Sequence, residues 1–113
     1  YGKGDTSTQA STLANKFFEM LEQGDFREHR NIPHYAEKLF VTSKHLSEVI
    51  KKVSGHSANY WITHYTVAEL QNTLRGTEKT MTQIAYEFNF SSVAYFTRYL
   101  QTNLGVTPTQ LRE

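Results

Sequence analysis

Residues 80–105, TMTQIAYEFNFSSVAYFTRYLQTNLG, decide the fold. Thr80 followed three residues on by Gln83 has the form of a capping box, in which each side chain satisfies a backbone N–H left free at a helix start. Met81, Ile84, Ala85 and Phe88 recur at helical spacing and predict one buried stripe. Asn89-Phe90 breaks that pattern, and Ser91 or Ser92 is a natural N-cap for a second helix. In this second helix Tyr95, Phe96, Tyr99 and Leu100 make the apolar face, and Gly105 supplies a left-handed stop. Val93, Ala94, Thr97, Arg98 and Gln101 fall on the opposite face. Small side chains beside an Arg and a Gln suit a helix that lies deep in a DNA groove. The stretch reads as a helix-turn-helix unit.

Residues 31–55, NIPHYAEKLFVTSKHLSEVIKKVSG, repeat this organisation. Asn31 can cap, and Pro33 in the first turn removes a donor that has no partner there anyway. Ala36, Leu39 and Val41 match Ala85, Phe88 and Phe90 at a constant offset of 49 residues. Ser43 is matched with Ser92. After one inserted residue in the second copy, Leu46, Ile50 and Gly55 match Phe96, Leu100 and Gly105 at an offset of 50. Repetition of this kind predicts two helix-turn-helix units.

Between the units, Ser57–Arg75 has a capping Ser and places Trp61, Ile62, Tyr65, Ala68 and Leu74 largely on one side. Nineteen helical residues would span about 28 Å, against about 34 Å between successive major-groove openings on one face of B-DNA. A connecting helix of that length can seat two recognition helices in adjacent grooves. Thr107-Pro108-Thr109-Gln110 repeats the cap logic and starts a short final helix. Upstream, residues 1–7 are expected to be a flexible lead-in, and Leu13, Phe17, Met20 and Leu21 predict a helix from Thr8 to Gln23 stopped by Gly24. Asp25–Arg30 reads as a charged, solvated connector. The expected organisation is a single domain over 8–113: a first lobe over 8–55, a linker helix over 57–75 and a second lobe over 80–113.

A chain of 113 residues supports a modest core. It holds no cysteine, so disulfides, thiolate zinc sites and cysteine nucleophiles are excluded. No apolar run approaches a membrane span and no secretory signal is visible. The start YGKGD, without Met, suggests a fragment of a longer protein. Net charge is only +1, which permits a nucleic-acid partner without demanding one. Residues 36–113 carry eight Lys/Arg against six Asp/Glu, whereas residues 1–35 carry four against five. No nucleophile elbow, Gly-rich phosphate loop or HExxH pattern occurs, and no enzyme is expected. His29, His34, His56 and His64 lack i,i+4 spacing and a completing carboxylate, so neither a metal nor a cofactor is expected.

The segments YAEKLFVTSKHLSEVIKKVSGHS and IAYEFNFSSVAYFTRYLQTNLGVTPTQLR resemble the DNA-binding domain of bacterial AraC/XylS-type transcription regulators. The resemblance covers roughly Asn31 to Arg112 and is most specific in the second segment. It implies an all-α, seven-helix, homeodomain-like domain with two helix-turn-helix lobes joined by a long central helix. Each lobe would place its second helix in the major groove, so that one molecule reads an asymmetric double-stranded site. Carried over by position, the first recognition helix presents Ser43, Lys44, His45, Ser47, Glu48 and Lys51. The second presents Ser92, Val93, Ala94, Thr97, Arg98 and Gln101. The resemblance further implies a cytoplasmic, nucleoid-associated protein with RNA polymerase as partner and a sensing or signalling domain, often N-terminal, elsewhere in the whole protein. Two positions depart from the family: Glu48 stands where many members have a basic residue, and Thr66 where the central helix often carries Arg.

Each residue has a plainer alternative. Arg98 reads guanine or clamps a phosphate, or is a solvated surface residue. Lys44 and the Lys51-Lys52 pair are phosphate contacts or solvated helix residues. Ser43 and Ser92 are first of all N-caps; Val93 and Ala94 in a groove would meet thymine methyls. His45 is a base or phosphate contact, or surface. Tyr60, Trp61 and Tyr65 are expected in the core rather than as a single-strand stacking platform. The rival reading as a whole is a helical protein-interaction module that kept the fold and lost DNA binding.

Overall fold

The computed structural model describes residues 2–113, with side chains from Gln9 onward; Tyr1 lies outside it. Seven α-helices follow in order: α1 (Gly2–Glu22), α2 (Ile32–Lys38), α3 (Ser43–Ser54), α4 (Ala58–Gly76), α5 (Met81–Glu87), α6 (Val93–Leu104) and α7 (Pro108–Arg112). A single 3-10 turn, Asp25–Arg27, follows α1. The backbone of α1 is helical from Gly2, earlier than the Thr8 expected, so most of the supposed lead-in over 1–7 belongs to that helix.

Five helix starts are built as the sequence predicts. Thr80 and Thr107 each form a full capping box, with Gln83 and Gln110. Asn31, Ser57 and Ser92 accept from the backbone N–H three residues on. One assignment is corrected. The cap of α3 is Thr42, whose hydroxyl accepts from His45 N at 3.0 Å, and Ser43 is the first helical residue. Thr42 is therefore the counterpart of Ser92, Ser43 that of Val93, and Ser91 is the extra residue of the second copy.

The turns inside the two units share one hydrogen-bond scheme. Val41 N donates to Ala36 O at 3.0 Å and Phe90 N to Ala85 O at 2.9 Å; Phe40 N and Asn89 N donate to Glu37 O and Tyr86 O. These are Schellman turns, in which the residue after the helix is left-handed and the next one folds back onto the last turn. That fold-back explains why both copies pair a small Ala with Val41 or Phe90. The left-handed residue is Phe40 (φ 60) in the first turn and Asn89 (φ 55) in the second. Asn tolerates this conformation, whereas a bulky side chain does not. Phe40 is moreover 94% exposed, so no packing offsets the strain. Phe40→Asn is expected to stabilise the domain by about 1 kcal/mol, read as a raised denaturant midpoint at unchanged slope; a lower midpoint would show that the ring has contacts of its own.

The core is one continuous cluster running from Ala14, Phe17 and Leu21 through α4 to Phe96, Leu100 and Leu111. The buried residues of α4 are Ala58, Ile62, Thr66, Val67, Leu70 and Leu74. The sequence stripe is corrected here: Ala68 is exposed, Trp61 and Tyr65 only border the core, and Tyr60 is 44% exposed. The true stripe steps by four residues, and at about 100° per residue it turns roughly 160° about the helix between Ala58 and Leu74. α4 thus offers different sides to the lobe packed at its start and the lobe packed at its end. Thr66, midway along, is fully buried and its hydroxyl donates back to Ile62 O at 2.7 Å. α7 is locked onto α4 by reciprocal guanidinium caps: Arg112 Nε donates to Leu74 O at 2.9 Å and Arg75 Nε to Leu111 O at 3.3 Å.

Asp25–Arg30, expected to be a solvated connector, is instead an inter-lobe joint. Arg27 pairs with Glu69 on α4 at 2.8 Å. Arg30 donates to four main-chain carbonyls, Phe26 O (2.9 Å), Arg27 O (3.0 Å), Phe88 O (2.6 Å) and Asn89 O (3.4 Å). Asn89 Nδ2 returns a bond to Glu28 O at 3.0 Å. Burial lowers the Arg30 pKa from its ordinary value, and the phenols of Tyr99, Tyr95 and Tyr35 offset part of that; the guanidinium remains charged.

Tyr35 is fully buried beside this joint, with its hydroxyl donating to His29 O at 2.8 Å. Burial raises its pKa first of all, and the nearby Asp25 carboxylate raises it further. The unfolded chain ionises near pH 10 while the folded phenol stays neutral, so this stabilisation is complete below about pH 10 and is lost above it. Denaturant midpoints are therefore expected to fall as pH rises from about 10 to 11. Tyr35→Phe flattens that fall and lowers stability by about 1 kcal/mol at neutral pH. An unchanged alkaline slope in the variant would assign the effect elsewhere, for instance to Tyr65, whose pKa burial also raises.

Candidate nucleic-acid interface

Each unit buries one face of its second helix and presents the other. In α3, Leu46, Val49 and Ile50 are buried; in α6, Phe96 and Leu100. Outside, Lys44, Glu48 and Lys51 are exposed on α3 at the positions that Ala94, Arg98 and Gln101 occupy, also exposed, on α6. Ser47 and Thr97 are equivalent, half-buried shoulders, as are Ser43 and Val93. Ser92 is exposed at the α6 cap and His45 is exposed on α3. Every residue predicted for the two faces thus lies on its recognition helix or at the cap. The repeat conserves the inner face and changes the outer one: Lys, Glu, Lys in the first lobe against Ala, Arg, Gln in the second.

The electrostatics differ accordingly. Lys44 Nζ lies 4.0 Å from Glu48 Oε1, both side chains largely exposed, a surface pair one helical turn apart worth at most about 0.5 kcal/mol. Lys51 Nζ donates to Gly55 O at 3.3 Å, so that side chain partly serves the helix end. Gly55 and Gly105 end α3 and α6 in the left-handed conformation (φ 83 and 75). Arg98 is exposed and enters no ion pair among the described residues.

Sequence reasoning missed two features of this surface. Tyr95, assigned to the buried face, is 46% exposed at the start of α6, its ring edge-on to Phe90 at 5.7 Å. It is the positional counterpart of His45, and that correspondence was the available signal. Tyr60 stacks between His56 (4.1 Å) and His64 (6.0 Å) on the outside of α4. Among the described residues no three His, Asp or Glu side chains are grouped to hold a metal. None of the described helices is long and apolar enough to cross a membrane.

A family of helix-turn-helix domains matches residues 35–113, most of the first unit, the helix between and the whole second unit. The chain belongs to the AraC/XylS type of helix-turn-helix DNA-binding domain. The transcriptional activator RhaS of Mannheimia succiniciproducens is 30% identical over 77 residues, covering 68% of this chain and 29% of that protein. The chain therefore spans less than a third of the length of that relative. Among solved structures, the C-terminal domain of the Geobacillus stearothermophilus response regulator AraT superposes with a TM-score of 0.80 at 24% identity, covering 88% of this chain and 83% of that one. The DNA-binding domain of the global transcriptional factor AdpA, solved with a target DNA, superposes with a TM-score of 0.73 at 18% identity, covering 88% of each chain. The AraC/XylS-type fold thus holds over most of the chain, and it is a fold of transcription regulators.

Proposed function

We propose that this domain binds double-stranded DNA sequence-specifically, with α3 and α6 in successive major grooves on one face of the duplex. The observation that carries the reading is the repeat itself: two units with the same buried face and the same turn, presenting different outer residues at equivalent positions. Equal faces would suit a symmetric site; Lys, Glu, Lys against Ala, Arg, Gln suit an asymmetric one. The molecule measures 53 × 22 × 21 Å, long enough for two helices set about 34 Å apart. Helix N-termini, Lys44 and Lys51 would position the domain on phosphates. Arg98, with Val93, Ala94, Thr97 and Gln101, would read bases, and Ser43, His45, Ser47 and Ser92 would line the same contacts. The whole protein is proposed to act in the bacterial cytoplasm on the nucleoid, with RNA polymerase as partner and with a sensing or signalling segment. No catalytic role is proposed.

The test is selection of this domain's sites from a randomised duplex library, at two salt concentrations. Enrichment of two unequal elements one helical turn apart supports the reading. A single element would assign base reading to one lobe, and no enrichment with weak binding at low salt would favour a protein-interaction module. Glu48 gives an internal check. Its carboxylate repels phosphates unless it accepts from a cytosine amino group. Glu48→Gln is expected to leave stability within about 0.5 kcal/mol while tightening binding several-fold, about 1 kcal/mol. Weaker binding confined to one cytosine-containing site would show that Glu48 reads a base.

A further inference from the structure

We propose that Arg30 is a positioning residue that fixes the rotation of one recognition helix relative to the other, and so sets the spacing between the two DNA elements this domain accepts. The inference rests on the reading that both lobes contact DNA; the mechanics rest on the joint alone.

Among the described residues the lobes are joined by α4 and by side-chain bonds centred on Arg30. The stripe along α4 already gives each lobe a different side of the same helix, and a helix with a lobe at each end leaves twist between them to be set by whatever else crosses. Arg30 crosses. Its guanidinium gathers Phe26 O and Arg27 O from the connector and Phe88 O and Asn89 O from the turn between α5 and α6. Its Cζ lies over the Phe90 ring, 4.1 Å from the centroid, a cation–π contact of the kind Arg makes more often than Lys. Asn89 closes the bridge from the other side, through Nδ2 to Glu28 O at 3.0 Å. Arg27 buttresses it, paired to Glu69 and 5.7 Å from the Phe88 ring centroid.

The site of attachment gives this bridge its consequence. Phe88, Asn89 and Phe90 are the Schellman turn that launches α6, so Arg30 grips the element that aims the second recognition helix. The connector it grips from leads directly into α2 and α3. Charge-assisted bonds to several carbonyls in a half-buried setting are stiff and directional, and an aliphatic replacement would leave the carbonyls without a partner and the twist about α4 free. Each added base pair rotates a DNA element by about 35° and moves it about 3.4 Å. A domain of fixed twist cannot follow such a change, whereas a loosened one can.

The experiment has two arms. The chain has no cysteine, so Val53→Cys and Thr102→Cys, exposed on α3 and α6 and outside the proposed contact set, accept a pair of spin labels whose distance distribution reports lobe orientation without DNA. The expected result is a narrow distribution for the parent and a broad one for Arg30→Met, with Arg30→Lys between them. Asn89→Gly keeps the left-handed turn and removes only the return bond, so it broadens the distribution even if Arg30→Met fails to fold. In the second arm, the selected duplex is respaced by two base pairs. The parent is expected to lose about tenfold in affinity or more and the variants about threefold or less, with single-element binding unchanged in both. Equally narrow distances in parent and variants overturn the proposal. A broad distribution with an unchanged spacing penalty overturns its DNA consequence. Failure of the parent to select two elements defeats the two-groove reading instead, and leaves the distances to judge the joint.

Discussion

Phe96→Ala is expected to remove about 3–5 kcal/mol of stability and to lower the melting temperature by roughly 10–20 °C. Phe96 is fully buried on the inner face of α6, with its ring tilted against Phe90 at a centroid distance of 5.4 Å. Together with Leu100 it supplies the buried residues of that helix. Truncation to Ala loses the transfer free energy of the ring and leaves a cavity that a core of locked helices fills only in part. A domain of this size has about 5–15 kcal/mol in total, so the variant is expected to sit near the edge of folding at 37 °C. Because the core is continuous through α4, the loss should be felt in one cooperative transition rather than in a melted second lobe beside an intact first. Calorimetry and a helix signal followed against temperature check both points. A loss below about 1 kcal/mol would mean that Phe90 and Tyr99 collapse into the space. Two separate transitions would mean that the lobes are thermodynamically distinct.

Arg98→Ala is the counterpart on the outer face, with the effects reversed. The side chain is exposed and unpaired among the described residues, so folding stability should change by no more than about 0.5 kcal/mol. Binding to the selected site should lose about 1–3 kcal/mol, and preference at one base pair should relax, as expected when a forked donor facing guanine is removed. Lys51→Ala should weaken binding to every sequence alike and reduce the salt slope by about one. Competition titrations against the selected duplex and a shuffled one, at several salt concentrations, separate the two. Equal losses on both duplexes for both variants would contradict the division of roles.

The contrast between Phe96 and Arg98, two residues apart on one helix, shows what was legible and why. Inner-face residues are constrained by periodicity, because a helix buries residues three and four apart or it buries nothing. The stripe Ile84, Ala85, Phe88 and the pair Phe96, Leu100 could therefore be read from spacing, as could the caps at Asn31, Ser57, Thr80, Ser92 and Thr107. The cap of α3 could not be read so, because Thr42 and Ser43 are both competent and only the backbone conformation chooses between them. Long helix α4 misled for a different reason. Periodicity predicts a single-sided stripe, whereas a helix that serves two lobes turns its buried face along its length, so Tyr60 and Ala68 face outward while Thr66 and Leu70 are buried.

The sequence by itself determined the seven helices, most of their caps, the two-fold internal repeat, the family, and the main buried residues of each recognition helix. These are local matters, settled by side-chain periodicity and by the backbone groups that each helix end must satisfy. Only the tertiary structure decided how the two units are oriented. That orientation depends on Arg30 finding carbonyls 58 and 59 residues away and on Asn89 returning a bond across 61. Neither residue belongs to a periodic pattern, and carbonyl acceptors are present at every position in the chain. A bond from side chain to backbone leaves no complementary side chain to recognise, so the joint becomes visible only once folding has brought the connector and the second turn together.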